Sequence, residues 1–123
     1  MRLNRSNLCI KLFVKRKSLD DARRSCSQTS ARLVVLDTEE KNTDVGEYIK
    51  GTKDTATYLI GLTDVKEEGR FVWENGKDVV FSNWYNSQPD DNTGKNCVVF
   101  FPTTYQWYNY PCTDQKYICE KRF

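Results

Sequence analysis

Apolar positions along the chain fall in short runs that alternate between a period of two and a helical period. Leu8 to Val14 (Leu-Cys-Ile-Lys-Leu-Phe-Val) is apolar and β-prone, which predicts a first strand. Ser18 follows as a helix N-cap, with Asp21 three residues on to complete a capping box. Leu19, Ala22 and Cys26 then share one helix face. Ala31 to Leu36 reads as a short buried strand. Asp37 or Thr38 caps a second helix, whose acidic first turn (Glu39, Glu40) suits the helix dipole. Val45, Tyr48 and Ile49 form its apolar stripe, and Gly51 is expected to stop it.

The second half reads as strands. Tyr58 to Leu62 is a strand, Thr63 to Arg70 a polar connection carrying Asp64, Glu67 and Glu68, and Phe71-Val72-Trp73 another strand before an Asn75-Gly76 turn. Asn83 to Asn96 is too polar to be core. Its Gly, Pro, Asn and Asp residues each favour turns, so it reads as a long surface loop. A strand-like run, Cys97 to Phe101, ends that loop. An aromatic segment from Tyr105 to Tyr110 and a last strand from Tyr117 to Glu120 close the chain. Two early helices followed by several strands give an α+β pattern, not alternating βαβ units. The chain reads as a single domain, 1–123, with residues 1–8 as an N-terminal lead-in.

Composition narrows the function classes. A net charge of +2 gives no electrostatic case for nucleic acid, and no apolar run reaches membrane-spanning length. Met1 is not followed by an apolar signal region, so any secretion signal is expected to be removed or to lie upstream. There is no histidine and no Cys-x-x-Cys pair, which sets zinc aside. Five cysteines (Cys9, Cys26, Cys97, Cys112 and Cys119) read instead as a disulfide framework from an oxidising compartment, with one left over. Asn4-Arg5-Ser6 is a glycosylation sequon, in keeping with a secreted, extracellular protein.

Together these residues resemble the C-type lectin-like domain. The likeness is carried by the helix ending in Cys26, Tyr58-Leu59-Ile60-Gly61-Leu62, Phe71-Val72-Trp73 and Asn83-Trp84. It continues through Gln88-Pro89-Asp90, Cys97, Trp107 before Cys112, and the closing Tyr117-Ile118-Cys119-Glu120-Lys121. It runs from about Cys9 to Lys121 in one order. The resemblance implies a double-loop α+β fold with two helices, antiparallel sheets and adjacent termini. It also implies disulfides Cys26–Cys119 and Cys97–Cys112, a choice the residues alone leave open among three pairings. Cys9 matches the second cysteine of an extra N-terminal pair. Its partner would lie upstream, removed by truncation, or on another chain.

The resemblance also implies chemistry for the long loop. Sugar-binding members hold a calcium ion that takes two vicinal sugar hydroxyls. An acid and an amide flanking a cis proline bind both ion and sugar. Gln88-Pro89-Asp90 has the amide first, the order that goes with galactose or GalNAc rather than mannose. The expected sugar-binding residues are Gln88, Asp90, Lys95, Asn109, Tyr105 and Tyr108, with the two tyrosines offering an aromatic face to the ring or else filling core. Trp73, Trp84 and Trp107 are expected in the core under the loop.

The expected metal ligands are Gln88 and Asp90 at the main site, and Asp64, Glu68, Asp91 and Asn96 at an auxiliary one, since calcium takes six to eight oxygens. The sequence departs from the family pattern where Lys95 replaces a ligand glutamate and where Tyr108 and Asn109 replace Asn and Asp. Ca2+ is thus expected with a degraded main site.

Three functions follow as expectations. The first is a glycan-binding module for microbial or self glycans. The second is a calcium-independent domain that binds protein or another surface. The third, an enzyme, is disfavoured. No histidine base is present for nucleophilic catalysis, and the exposed loop acids Asp64, Glu68, Asp90 and Asp91 are expected to lack the raised pKa of a general acid. A homodimer would multiply weak single-site sugar binding.

Overall fold

A computed structural model describes Leu3, Ser6, residues 8–90 and residues 93–121. Asn4 of the sequon, Asp91 and most of the lead-in therefore lie outside the described residues. The elements are β1 (Cys9–Lys17), α1 (Leu19–Ser27), β2 (Ala31–Leu33), α2 (Glu39–Thr52), β3 (Tyr58–Thr63), β4 (Val72–Trp73), β5 (Cys97–Phe101), β6 (Gln106–Tyr110) and β7 (Gln115–Lys121).

Both helices start where a hydroxyl can accept an orphan N–H. Ser18 Oγ accepts from Asp21 N at 3.4 Å and Thr38 Oγ1 from Lys41 N at 3.2 Å, so Thr38 rather than Asp37 is the second cap. Asp21 turns its carboxylate to Arg24 at 2.7 Å. Gly51 does not stop α2. A single glycine weakens a helix without breaking it, and the chain turns instead at Lys53, which adopts φ 64°.

The strands form one mixed sheet in the order β1-β7-β3-β5-β6, with β2 on β7 and β4 on β3. The expectation of antiparallel pairing holds except between β3 and β7, which run parallel at Tyr58↔Lys116 and Leu59↔Tyr117. Cys9 pairs with Lys121, so first and last strands are neighbours. The disulfides are Cys26–Cys119 and Cys97–Cys112, and Cys9 is free and half-buried.

β3 is buried along its whole length because the sheet is covered on both faces. Ile60 and Leu62 meet Val45 and Ile49 of α2, with Trp73, Phe100 and Trp107. Leu59 turns to the other side, with Leu19, Ala22 and Cys26 of α1 and Tyr117 of β7. At Gly61 the backbones close up. Its N–H donates to Val34 O at 2.7 Å, and a Cβ there would sit 2.8 Å from the Leu33 and Val34 carbonyls. β2 ends at Leu33, short of the expected Leu36, because Val35 N donates to the Glu120 carboxylate rather than to a strand.

A loop clamped to the edge strand

The long loop is fixed at both ends to β6. At its start, Trp107 N donates to Asn83 O at 2.9 Å, Tyr85 N to Trp107 O at 3.0 Å, and Asn83 Nδ2 to Tyr105 O at 2.6 Å. Trp84 packs edge-on to Trp107 at 5.5 Å, and Trp73 does the same at 5.4 Å. Trp73 and Trp107 are fully buried under the loop as expected, and Trp84, within the loop itself, is half-buried against the core. At the loop's end Cys97 pairs with Tyr110 across the strands and is tied to Cys112.

Between these clamps, four of the expected sugar-binding residues come together. The Gln88–Pro89 peptide bond is cis. Asn109, only 3% exposed, organises the cluster. Its Oδ1 accepts from Asp90 N at 3.0 Å, and its Nδ2 donates to Asp90 O at 3.0 Å. Its backbone N–H donates to Gln88 Oε1 at 3.1 Å. Lys95 Nζ donates to Asp90 Oδ2 at 2.7 Å. A cation therefore already sits on the acid of the triplet, and it is an ammonium. Gln88 and Asp90 spend acceptors on Asn109 and Lys95, so these residues do not fit a calcium ion at this position.

The two tyrosines part company. Tyr108 faces away from Asn109, stacks on Tyr85 with centroids 4.9 Å apart, and meets the edge of Phe101. With Thr57, Val99, Phe101 and Tyr110 it lines a shallow groove of about 250 Å³. Tyr105 lies elsewhere. It turns at φ 64°, its ring covers Gly46 of α2 so closely that a Cβ there would collide, and Lys50 Nζ lies 4.8 Å from its centroid. Tyr105 is a packing residue, and Tyr85 is the aromatic that adjoins the loop. Asn42 also went unread. Buried in α2, it donates to Tyr105 O and accepts from Trp107 Nε1 at 2.8 Å, pinning β6 from behind. Its spacing from Val45, Gly46 and Ile49 was the available signal.

Asp64, Glu68 and Asn96 meet beside the loop. One end of the Asn96 amide faces Asp64 Oδ1 at 3.0 Å, Glu68 Oε1 at 3.1 Å and Thr93 O at 3.0 Å, and with its nitrogen there it donates to all three. Asp64 is buried, accepts from Gly69 N at 2.9 Å, and donates its own N–H to Asn96 O. The Glu68 carboxyl is pushed up by local desolvation and by its hydrogen bond and proximity to Asp64, so of the loop acids expected to lack a raised pKa, Glu68 departs in direction. Neighbouring ligand oxygens around calcium lie about 3 Å apart, given Ca–O distances of about 2.3–2.6 Å. With the amide oxygen turned inward, it would stand about 3 Å from each of the other three oxygens, the spacing of neighbouring ligands on such an ion. Among the described residues no cluster of three or more His, Cys, Asp or Glu side chains is present, so this set depends on an amide and a carbonyl.

A covered sheet, a disulfide-tied loop and a polar cluster on that loop define a loop-presenting ligand-binding domain. Comparison with known proteins makes this specific. The family described as "Lectin C-type domain" matches residues 15–121. A "Perlucin-like protein" of Mytilus galloprovincialis is 34% identical over 108 residues, covering 84% of this chain and 69% of that protein. "Pulmonary surfactant-associated protein D" of Sus scrofa is 28% identical over 109 residues, but the chain spans only 28% of that protein. The human scavenger receptor C-type lectin carbohydrate-recognition domain superimposes with a TM-score of 0.86 at 27% identity, covering 98% of this chain and 95% of that one. The chain belongs to the C-type lectin domain family, whose members are non-enzymatic carbohydrate-binding proteins. No helix among the described residues is long and apolar enough to cross a membrane.

Proposed function

We propose that this domain binds galactose-type glycans, galactose or GalNAc, through Gln88, Asp90 and Lys95, with the lysine ammonium in the role that calcium plays elsewhere in the family. The observation that carries the reading is the 2.7 Å contact between Lys95 Nζ and Asp90 Oδ2 inside the Asn109 cluster. An ammonium has three donors. One is on Asp90, which leaves two for vicinal sugar hydroxyls. Asp90 accepts a hydroxyl proton, and Gln88 keeps its amide N–H groups to donate.

Calcium enters at the other set. Asp64, Glu68, Asn96 and the Thr93 carbonyl would hold it, and its charge would brace the loop without touching the sugar. Two carboxylates make this a weak site, with a dissociation constant of about 10⁻⁴–10⁻³ M, as in extracellular modules. Secretion fits the two disulfides. Dimerisation would add avidity to a weak single site.

The test is a glycan array with and without a chelator, followed by affinities for the swap Gln88→Glu with Asp90→Asn. Terminal galactose or GalNAc binding that survives the chelator supports the reading, as does a shift toward mannose in the swap. One observation favours a second reading, a surface that binds protein without calcium. The Asp90 carboxylate, the Gln88 carbonyl and the Asn109 amide each already have a partner inside the cluster. An array blank in both conditions would turn the conclusion to that reading.

A further inference from the structure

The sheet edge opposite the loop carries a different charge pattern. β1 holds Lys11, Lys15, Arg16 and Lys17 and no acid within nine residues. That is a dense run in a chain whose net charge is only +2. Among the described residues none of the four forms an ion pair, whereas Arg23, Arg24, Arg32, Lys41, Arg70, Lys95 and Lys116 each contact a carboxylate. Lys11 lies over the Phe13 ring at 5.2 Å.

Geometry turns these side chains outward. Four steps of β1, from Phe13 to Lys17, are matched by only two of β7, from Tyr117 to Gln115. The strand bulges there and loses its in–out alternation, so Val14, Lys15 and Arg16 are all exposed. β1 ends the strand order, so no further strand among the described residues covers it. The acids at hand are few. Asp20 and Asp21 open α1, Asp21 is bound to Arg24 at 2.7 Å, and Asp114 adjoins Gln115, the partner of Lys17.

We propose that the β1 edge is a second binding surface, for a linear sulfated polysaccharide. Lys11 faces Cys119 and Lys17 faces Gln115, so through the bulge the basic run advances four strand steps, about 13 Å at about 3.3 Å each, enough to follow neighbouring anionic groups of an extended chain. The partner is chosen by compartment. Disulfides Cys26–Cys119 and Cys97–Cys112 belong to an oxidising space. Sulfated polysaccharide is the abundant polyanion there, whereas nucleic acid and the anionic leaflet of membranes face the cytoplasm. The competing account is that lysines and a bulge merely blunt an edge strand against pairing with other chains.

Heparin serves as the probe, with wild type, Lys15→Gln/Arg16→Gln/Lys17→Gln and a charge-matched control, Lys53→Gln/Lys66→Gln/Lys77→Gln. Wild type should bind an end-labelled heparin fragment. The β1 variant should lose about tenfold or more at physiological salt and show a shallower dependence of log K on log salt, as fewer counterions are released. The control should stay close to wild type. A Lys15→Arg/Lys17→Arg variant, with both charges kept, should also stay close to it. The proposal is overturned if wild type does not bind heparin, if both Gln variants lose equally, or if the β1 variant binds as wild type and only self-associates more. Equal, equally salt-resistant binding of a DNA duplex or of phosphatidylserine vesicles would overturn the choice of polysaccharide.

Discussion

Lys95 Nζ lies 2.7 Å from Asp90 Oδ2, with the two side chains 32 and 34% exposed. The pair is half open, close enough to hold its charge in place and exposed enough to admit a ligand. A hydrogen bond to a charged group contributes about 1.5–3 kcal/mol. Lys95→Ala should therefore weaken galactose binding about tenfold or more, while a chelator should weaken it little. Calorimetry on both proteins with and without chelator checks this. Binding abolished by chelator but kept by Lys95→Ala would refute the ammonium's role.

Asn109 joins Asp90 and Lys95 through its buried side-chain amide, and Gln88 through its backbone N–H. Asn109→Ala removes the acceptor of the Asp90 N–H and a donor to the Asp90 carbonyl, at a cost of about 1–3 kcal/mol. Urea denaturation should report that loss. Hydrogen exchange should locate it in residues 88–95, with the α1 side of the sheet unchanged. A variant as stable as wild type would show that the cluster does not hold the loop.

Calcium binding at Asp64, Glu68, Asn96 and Thr93 O predicts a thermal shift. For the affinity given above, about 10 mM calcium should stabilise the fold by about 1.5–3 kcal/mol. Glu68→Gln should abolish most of that gain. The same variant without calcium should be no less stable than wild type, because it removes a carboxylate crowded against Asp64. Magnesium at the same concentration serves as the control.

These sites were legible to different depths in the sequence. The elements and both disulfides could be read because turn residues, periodicity and family spacing agreed. Gln88, Asp90, Lys95 and Asn109 are brought together as a group because the loop's clamps lie at Trp84 and Cys97, residues the sequence marks. For Tyr105 the sequence leaves both a sugar-facing and a core role open, because nothing local says which way an aromatic segment faces. The deciding contact, with Gly46 of α2, spans 59 positions. Gly51 misled for the opposite reason. Its local signal was real, but α2 gains enough from burying Val45 and Ile49 to run through it.

Asp54 gives the acid dependence. Hydrogen bonds from Tyr58 Oη at 2.6 Å, Ala56 N at 2.9 Å and Lys116 Nζ at 2.9 Å hold its carboxyl down from 3.8 to about 2. A lowered carboxylate stabilises the fold above its unfolded value, and that contribution disappears as pH falls through the folded one. After allowance for solvent screening it is about 1–2 kcal/mol. Asp54→Asn should therefore cost this much at pH 7, and the gap to wild type should close between about pH 4 and pH 2. Chemical denaturation across that range checks it.

The disulfides should not be equivalent. Cys26–Cys119 closes a span of 93 residues and Cys97–Cys112 a span of 15. On the chain-entropy model, replacing both cysteines by alanine should cost about 4–5 kcal/mol for the first pair and about 3 kcal/mol for the second. Denaturation of the two variants under oxidising conditions measures the difference.

Both ends of the long loop rest on one strand, through Asn83 and Trp84 on Trp107 and through Cys97 on Tyr110. Whatever lies between those anchors is free to vary in length, since doubling a flexible loop costs only about 0.6 kcal/mol in closure entropy. The frame is in this sense a cassette holder. A loop of another composition, grafted between Trp84 and Cys97 with Trp107 and Cys112 retained, should inherit a folded scaffold and bring its own recognition chemistry with it.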